Sequence, residues 1–296
     1  MSVTTKDASP EMRDYVLDSV ENQQGSVIPV SPRRRARKAR STSTMAQWWF
    51  AVLPPLVLAL IVLIGWYAST TSGHISALLL PKPNDVLASL ADGLGAGAYL
   101  SSALLITVQE SVCGFLLALV IALPLGFAIV KSRLVASTFQ PYLAAAQAIP
   151  ALVLAPFFVL WLGYSLFSNV IICTLVIIFP MVINTILGMQ TIDRAYIDAA
   201  RVEGASGWSM LAHIEFPLAL PALLAAIRTG FTLSITGAIV GEFVNSNALG
   251  LGALVLQAKE QYNTPLMFAT LVVLAALAAL YYGATWLLVK LAARIY

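Results

Sequence analysis

The sequence predicts an all-α membrane protein with six transmembrane helices and both termini in the cytosol. Of its 296 residues, 59% are hydrophobic and only 10% are charged, and the mean hydropathy is +0.84. Soluble domains are about 45–50% apolar and about 25% charged, so a soluble domain is excluded. Two further observations predict this fold class: the apolar residues form six long runs, and the basic residues between the runs lie mostly on one side of the membrane.

Residues 1–46 are predicted to be a disordered, basic tail in the cytosol. They hold few large apolar side chains and cannot bury enough surface to offset chain entropy. Eight of the 17 Lys and Arg residues precede residue 41, with a dense group at Arg33, Arg34, Arg35, Arg37, Lys38 and Arg40. A basic block before the first span favours a cytosolic N terminus, with a nucleic-acid or anionic-lipid patch as the alternative. The tail is too long and polar for a signal peptide, so the first span is expected to remain.

The transmembrane domain is predicted to occupy residues 47–296. A hydrocarbon core of about 30 Å needs roughly 20 apolar residues in a helix, because only a helix satisfies its own backbone there. Six runs meet this condition, at approximately 48–68, 102–130, 142–163, 169–189, 223–243 and 265–289. Basic residues follow the second, fourth and sixth runs, at Lys131, Arg133, Arg194, Arg201, Lys290 and Arg294. Six alternating spans place all of these on the side of the tail, which is therefore the cytosolic side.

Prolines interrupt several of the predicted spans, at Pro124, Pro150, Pro156 and Pro180. Proline frees backbone carbonyls and bends a helix, which membrane proteins tolerate beside a neighbour or a cavity. Gly and Ala are frequent in the same runs and permit close helix packing. Together these residues indicate bent helices bundled around a pathway.

The outer loop 69–101 is expected to contain a short interfacial helix. Asn84 is the predicted N-cap, and the apolar side chains that share one helical face are Val86, Leu87, Leu90 and Leu94. A plain loop is the alternative.

Residues 193–217 predict a helical corner in the cytosol between the fourth and fifth spans. Asp193 is the expected N-cap of a helix from Arg194 to Glu203, and Gly204 is the expected left-handed residue that ends it. Ser206 is the expected cap of a second short helix that runs toward Pro217. A rigid cytosolic corner suits docking on another protein, because it can transmit a displacement to the spans on either side. A solvated connection is the alternative.

The spacing within this corner resembles the cytosolic signature of bacterial ATP-binding-cassette (ABC) importer permeases: Glu-Ala-Ala, three residues, Gly, nine residues, Ile-x-Leu-Pro. Here Asp198 replaces Glu and Phe216 replaces Leu, and the spacing is kept throughout. In that family the corner docks into a groove of an ATPase subunit. The resemblance therefore implies ATPase docking by Asp198, Ala199, Ala200, Gly204, Ala205, Ile214 and Pro217.

The resemblance extends from about Leu80 to the C terminus and is densest over residues 140–255. Segments such as LPKPNDVLASL, AQAIPALVLAPFFVLWLG and GLGALVLQA look like the branch that serves nitrate, sulfonate and taurine uptake together with thiamine-precursor pyrimidine and riboflavin uptake. Two segments, TVQESVCGF and NTPLMFATL, look more like the pyrimidine and riboflavin members. The fold that this implies is a type I importer transmembrane domain with cytosolic coupling helices.

The resemblance also implies the partners. They are two ABC ATPase subunits, a second permease subunit that we expect to be a copy of this chain, and an extracytoplasmic solute-binding protein. The assembly would lie in the lipid of a bacterial cytoplasmic (inner) membrane, and no nucleic-acid partner is expected. The sequence contains no G-x-x-x-x-G-K-[ST] motif, so ATP and Mg are expected on the partner ATPase and no cofactor in this chain.

Other functional classes are less favoured. An HExxH motif, a Gly-x-Ser-x-Gly elbow and carboxylates paired at one depth are all absent, so no catalytic residue is assigned. His74 and His213 have no second ligand at metal spacing, so no metal site is assigned. A secondary transporter or channel would also contain bent helices, but no internal repeat is evident and such a protein has no need of the 193–217 corner.

Polar side chains within the predicted spans are candidates for a translocation pathway. A charge at the centre of a membrane helix costs about 2.5–3.5 kcal/mol on insertion scales, so Glu110, Arg228 and Glu242 need partners or water. For Arg228 and Glu242 the favoured alternative is a side chain that reaches the nearer membrane surface. An acidic wall at Glu110 would suit a neutral or cationic heterocycle better than nitrate or a sulfonate. The full candidate set is Gln109, Glu110, Gln147, Asn184, Arg228 and Glu242.

Overall fold

A computed structural model describes residues 44–72, 75–95, 99–245 and 247–292 of the chain. The predicted disordered tail and its basic group lie outside the described residues, apart from the first turn of a helix that begins at Thr44. The chain forms two units, Met1–Val62 and Leu63–Tyr296. Helix α1 (Thr44–Thr71) begins in the first unit and ends in the second. All other described helices belong to the second unit, which therefore contains the candidate site.

The described chain is built of helices joined by short connections. After α1 come α2 (Pro83–Leu94), α3 (Tyr99–Lys131), α4 (Arg133–Ala148), α5 (Ala151–Leu162), α6 (Leu166–Gln190), α7 (Arg194–Val202), α8 (Gly207–Met210), a π-helical segment (Leu211–Glu215), α9 (Phe216–Val244), α10 (Leu251–Glu260) and α11 (Thr264–Ala292). Five helical stretches in the described chain are long and apolar enough to cross a membrane: Leu53–Thr71, Tyr99–Lys131, Leu166–Gln190, Gly207–Val244 and Thr264–Leu291. The all-α membrane fold is therefore confirmed.

The third predicted span, 142–163, is not one continuous helix. Its residues fall on α4 and α5, which meet at an angle of 102°. The break lies at Ile149 and Pro150, because proline cannot donate the helical hydrogen bond and disfavours helical backbone in the residue before it. By contrast, Pro124, Pro156 and Pro180 lie within continuous helices. Counted as one span, the bent pair gives the six spans predicted.

Helix α6 lies at the centre of the second unit and packs against both α3 and α9. Small residues make this close approach possible. A Cβ atom added at Gly114 of α3 would lie 2.5 Å from the Cys173 sulfur, and one added at Gly237 of α9 would lie 2.8 Å from the Cys173 Cα. In a membrane, such small-residue contacts and van der Waals packing hold helices together. The three helices therefore form the frame that positions everything else.

The outer connections contain two short helices. The predicted interfacial helix is present as α2, but it begins at Pro83 with Lys82 at the N-cap position, so the prediction that Asn84 caps it is wrong. Only part of its predicted apolar face is covered: Val86 is buried, whereas Leu87 and Leu94 are exposed. The second helix, α10, lies in the loop after α9 and was not predicted. Val86 packs in one cluster with Leu251 of α10, so the two outer helices are anchored on the same core.

Candidate functional site

The first arm of the cytosolic corner is α7, and its C-terminal end is closed by two backbone hydrogen bonds. Gly204 N–H donates to the Arg201 carbonyl at 3.0 Å, and Ala205 N–H donates to the Ala200 carbonyl at 2.9 Å. Gly204 has φ +88°, the left-handed conformation that was predicted. This pair of bonds around a left-handed glycine is the Schellman motif. It gives a physical reason for the fixed spacing between Ala200 and Gly204.

The two predicted caps of the corner behave differently. The Asp193 carboxylate accepts a hydrogen bond from Ala195 N–H at 3.0 Å, as predicted. Ser206 occupies the N-cap position of α8, but its side chain makes no capping hydrogen bond, so that part of the prediction is wrong. The turn instead contains a second left-handed glycine, Gly207, with φ +54°. Two left-handed residues set the angle between the arms.

The second arm is not the separate short helix that was predicted. Helix α8, the π-helical segment and α9 continue into one another, and the whole stretch Gly207–Val244 qualifies as a membrane span. Pro217 does not end the helix, because it lies in the first turn of α9, where a missing N–H leaves few hydrogen bonds unmade. A π-helical segment inside a helix is often found at functional sites. The corner is therefore continuous with the span that the sequence predicted only from residue 223.

The residues of the predicted docking motif are divided between the surface and the interior of the corner. Asp198 is exposed and pairs with Arg201 at 3.1 Å on the same helix. Ala199 is exposed, whereas Ala200 is buried beneath it. The partly buried members of the motif are Ala205, Ile214 and Pro217. One side of the motif thus faces outward, and the other holds the corner together.

Large apolar side chains are exposed at the tip of the corner. Val202 is 89% exposed, Trp208 is 78% exposed and Tyr196 is 61% exposed. They flank the left-handed turn on both arms. Exposed aromatic residues of this kind are enriched at the centres of protein interfaces. No role was predicted for these three residues from the sequence.

An ion pair joins the membrane-side end of the corner to the inner end of α3. The Lys131 ammonium group donates to the Glu215 carboxylate. Glu215 is the last residue of the π-helical segment and is only 1% exposed. Its second carboxylate oxygen, Oε2, has no hydrogen-bond partner among the described residues. From the sequence, Lys131 was used only to predict which side of the membrane is cytosolic.

A cavity of about 460 Å³ lies where α4 and α5 meet. It is lined by residues around the Pro150 break and by one face of α6 around Pro180. Two of the predicted pathway residues, Gln147 and Asn184, lie on its wall. The remaining lining is apolar and includes Phe158 and Phe179. No Lys, Arg, Asp or Glu side chain is among the described lining residues.

Glu110 lies in a buried hydrogen-bond network and not on this cavity. It is 1% exposed, and its Oε1 accepts a hydrogen bond from Asn169 Nδ2 at 2.7 Å. Asn169 Oδ1 accepts in turn from Asn245 Nδ2 at 3.0 Å. The network therefore ties α3 and α6 to the residue that follows α9. The predicted acidic wall is absent from the cavity.

Glu242 is also buried, at 1% exposed, and does not reach the membrane surface. Its Oε1 accepts a hydrogen bond from Thr107 Oγ1 at 2.6 Å, and its Oε2 accepts one from Gly252 N–H at the start of α10. Leu251 N–H donates to Thr107 Oγ1 at 2.8 Å. The carboxyl groups of Glu242 and Glu110 are close enough to interact with each other, so two carboxyl groups do meet at one depth, contrary to the expectation from the sequence. Together these contacts hold the outer segment 245–252 on the helical frame.

The last two predicted pathway residues lie elsewhere. The Arg228 guanidinium lies 4.2 Å from the centre of the Tyr282 ring, in a cation–π contact between α9 and α11. Gln109 is exposed on α3. The structure thus brings Gln147 and Asn184 together on one cavity and brings neither Arg228 nor Gln109 to it.

Several residues of these sites were not found from the sequence. Asn169, Asn245 and Thr107 are polar residues in or next to apolar runs, and the reasoning that selected Glu110 applies to them as well. Which polar residues meet depends on helix pairing, because Thr107 and Glu242 are 135 residues apart in sequence. Of the two histidines, His213 is exposed, with Nδ1 at 3.2 Å from the Ser209 carbonyl, and His74 lies outside the described residues.

Comparison with known families gives a match over most of the chain. The family model described as binding-protein-dependent transport system inner membrane component matches residues 113–295. The matched region contains the cytosolic corner, the cavity and Glu242.

Curated relatives carry the names of transport permeases. The riboflavin transport system permease protein RibX of Chloroflexus aurantiacus is 38% identical over 90% of this chain and 96% of that protein. The formylaminopyrimidine transport permease protein ThiX of Halalkalibacterium halodurans is 29% identical over 79% of this chain and 92% of that protein. The putative aliphatic sulfonates transport permease protein SsuC of Bacillus subtilis is 27% identical over 76% and 81%.

A solved structure shares the fold. A chain of the MetNI methionine ABC transporter in an inward-facing conformation matches 66% of this chain and 96% of that chain, with a TM-score of 0.61 and 22% identity. The fold is that of a type I ABC importer transmembrane domain. From the family match and the identity to RibX, the chain belongs to the binding-protein-dependent transport system inner membrane component family and is a multi-pass ABC importer permease of the bacterial inner membrane.

Proposed function

We propose that this permease carries a neutral, ring-shaped solute of the riboflavin or thiamine-precursor pyrimidine class through the cavity at the Pro150 break. The observation that supports this most directly is the chemistry of the cavity wall, which combines two amide side chains with apolar and aromatic groups. Its volume of about 460 Å³ lies within the range of about 300–1,000 Å³ that is usual for small-molecule sites.

The absence of charged lining residues argues against an anionic solute. Nitrate and sulfonates carry a charge that is costly to remove from water unless the protein supplies a cation or several donors. The described cavity wall supplies no Lys or Arg. Arg228, the cationic pathway candidate from the sequence, contacts the Tyr282 ring instead.

The two amides suit the polar edge of a pyrimidine or flavin ring. Gln147 and Asn184 each offer one acceptor and two donors, which matches the alternating carbonyl and N–H groups of such rings. Phe158 and Phe179 offer aromatic surface against which the flat face of the ring can pack. The relative RibX, named for riboflavin transport, supports the same class.

A nitrate, sulfonate or taurine permease is the second candidate. The relative SsuC, named for aliphatic sulfonates, favours it. In that case the cationic groups would have to come from another subunit, because the described cavity wall has none. The two candidates therefore differ in the charge of the solute that the cavity must bind: a neutral ring in the first and an anion in the second.

The cytosolic corner is the proposed docking site for a separate ATPase, which would bind ATP and Mg. Its exposed tip and its continuity with α9 support this role, because a displacement of the tip passes directly into a membrane span. The proposed assembly has two ATPases, two copies of this permease and an external binding protein. Closing of the ATPase pair on ATP would move the two corners, and the spans that carry the cavity would change from an inward-facing to an outward-facing arrangement.

Uptake by the reconstituted complex of permease, ATPase and binding protein tests the solute class. We expect ATP-dependent uptake of labelled riboflavin or a thiamine-precursor pyrimidine, with no competition from taurine or nitrate. Replacing Gln147 and Asn184 by Leu should lower this uptake about tenfold, because each lost hydrogen bond to the ring removes about 0.5–1.5 kcal/mol. Gln109→Leu is the matched control, since Gln109 is exposed on α3 away from the cavity. Uptake of a sulfonate by the same complex, or an equal loss in the control, would contradict the proposal.

A further inference from the structure

We propose that the ion pair between Lys131 and Glu215 is the link through which the cytosolic corner moves helix α3, so that both are positioning residues for transport. This inference rests on the proposed docking of the corner on an ATPase. It adds a second route for the movement, because α9 follows the corner through the backbone and α3 does not.

The two residues lie where a mechanical link is needed. Lys131 is the last residue of α3, and Glu215 is the last residue of the π-helical segment. The Glu215 side chain is 2% exposed and the Lys131 side chain is 46% exposed. The buried carboxylate therefore belongs to the corner, and the lysine reaches in to it from the end of α3.

Apolar packing on this side of the corner is incomplete. A groove of about 600 Å³ is lined by the inner end of α3 and by the second arm of the corner. Phe127, Lys131, Trp208 and Phe216 are among its lining residues. Phe127 and Phe216 stack at 6.2 Å between ring centres. At the corner itself, the ion pair and this ring contact join α3 to the second arm, whereas further along Leu123, Phe127 and Val130 of α3 pack in one cluster with Ala219 and Leu223 of α9.

The pairing also has a reason in electrostatics. A buried carboxylate without a partner is costly, and breaking a buried pair by removing one member leaves that cost uncompensated. Glu215 Oε2 already has no hydrogen-bond partner among the described residues, so Lys131 supplies the main compensation. If the corner moved without α3, the carboxylate would lose its lysine. The end of α3 is therefore held to the corner throughout the transport cycle.

Coupling between ATP hydrolysis and uptake in the reconstituted complex tests this link. The variant Lys131→Met should lower the ratio of solute imported to ATP hydrolysed about tenfold, within the range of about 5- to 150-fold typical of coupling between sites. The double variant Lys131→Met/Glu215→Gln removes both charges. It should regain thermal stability while its coupling ratio stays low. The exchanged pair Lys131→Glu/Glu215→Lys should restore the ratio in part.

Arg133→Met is the matched control, because Arg133 is an exposed basic residue at the same end of the membrane. It should keep the coupling ratio of the unmodified complex. All variants should retain the ATPase on copurification, which separates this inference from the proposed docking, whose failure would appear as loss of the ATPase. A normal coupling ratio in the double neutral variant would overturn the inference, even if the exchanged pair failed to fold. Loss of the ATPase from Lys131→Met would overturn it as well.

Discussion

The outer and inner ends of the permease's core helices are held together in different ways. At the outer end, both Glu242 oxygens accept hydrogen bonds, and Asn169 and Asn245 extend the network across α3, α6 and α9. At the inner end, Glu215 has one lysine partner and an unpaired oxygen, and a groove of about 600 Å³ lies beside it. The outer end is tied by several buried hydrogen bonds between side chains, whereas the inner end has one ion pair and apolar packing between α3 and α9.

This difference makes the outer end the more firmly tied part of the molecule. Buried hydrogen bonds hold helices in place, because each broken bond leaves a polar group without water, and the outer network has several of them although Glu110 Oε2 lacks a partner among the described residues. The inner end instead has a π-helical segment, two left-handed glycines and exposed aromatic residues. In an importer that a cytosolic ATPase drives, the helices must be able to shift at the cytosolic end, and the opposite end must hold them in place. Acidic residues near the outer end then have a structural role, and the proposed pathway is the cavity with the uncharged amides Gln147 and Asn184.

The largest effect is expected from breaking the outer network with Glu242→Leu. Gly252 N–H would lose its acceptor in a buried site, whereas Thr107 Oγ1 would keep the Ala103 carbonyl as an acceptor. A buried donor left without a partner costs about 1–3 kcal/mol, so the free energy of unfolding should fall by about 1–3 kcal/mol. Denaturant titration of the detergent-solubilised permease measures this change.

Glu260→Leu is the control for this prediction, because Glu260 is an exposed acidic residue at the end of α10. It should change the free energy of unfolding by less than about 0.5 kcal/mol. Folded Glu242→Leu protein should still copurify with the ATPase, since the corner is untouched. An unchanged stability would mean that the outer end is no more firmly tied than the inner end.

A smaller effect is expected at the inner end for Gly204→Val. This variant should lose the ATPase, whereas Glu242→Leu should keep it. Gly204 has φ +88°, and an added Cβ would meet no atom within 4 Å, so the cost is backbone strain alone. That strain is about 1–2 kcal/mol for an L-residue, which corresponds to a loss of about 5- to 30-fold in ATPase bound on copurification.

Gly163→Val is matched to this variant, because Gly163 has φ +81° and equally open surroundings but lies in the turn before α6. Its ψ of 172° places it in a region that is essentially restricted to glycine, so Gly163→Val should carry at least as much backbone strain and still keep the ATPase. Equal retention of the ATPase by both variants would contradict docking through the corner.

The features that the sequence predicted well are local ones. The spans follow from the lengths of apolar runs, and the end of α7 follows from Gly204, whose conformation depends on neighbours in the chain. Of the prolines predicted to interrupt spans, only Pro150 breaks a helix. The local sequence around it does not distinguish it from Pro156 or Pro180.

The composition of the candidate site was less predictable, since it depends on which helices meet. Gln147 and Asn184 reach one cavity only because α4 and α5 fold at 102° beside α6. Glu110 is a charged residue within an apolar run, as a pathway residue would be, yet helix pairing buries it against Asn169. Lys131 and Glu215 have ordinary positions in the sequence, and only their proximity gives them a role.

The smallest effect is expected for Glu110→Gln, which probes the outer network without removing its acceptor. Gln retains an oxygen for the Asn169 amide and removes any repulsion between the neighbouring carboxyl groups of Glu110 and Glu242. Stability should change by less than about 1 kcal/mol, and both the rate of solute uptake and its dependence on pH should stay the same. Glu110→Leu is the paired variant: it removes the acceptor as well, so it should lose stability by about 1–3 kcal/mol. If Glu110→Gln slowed uptake at unchanged stability, Glu110 would belong to the pathway, and the outer end could no longer be regarded as a fixed frame.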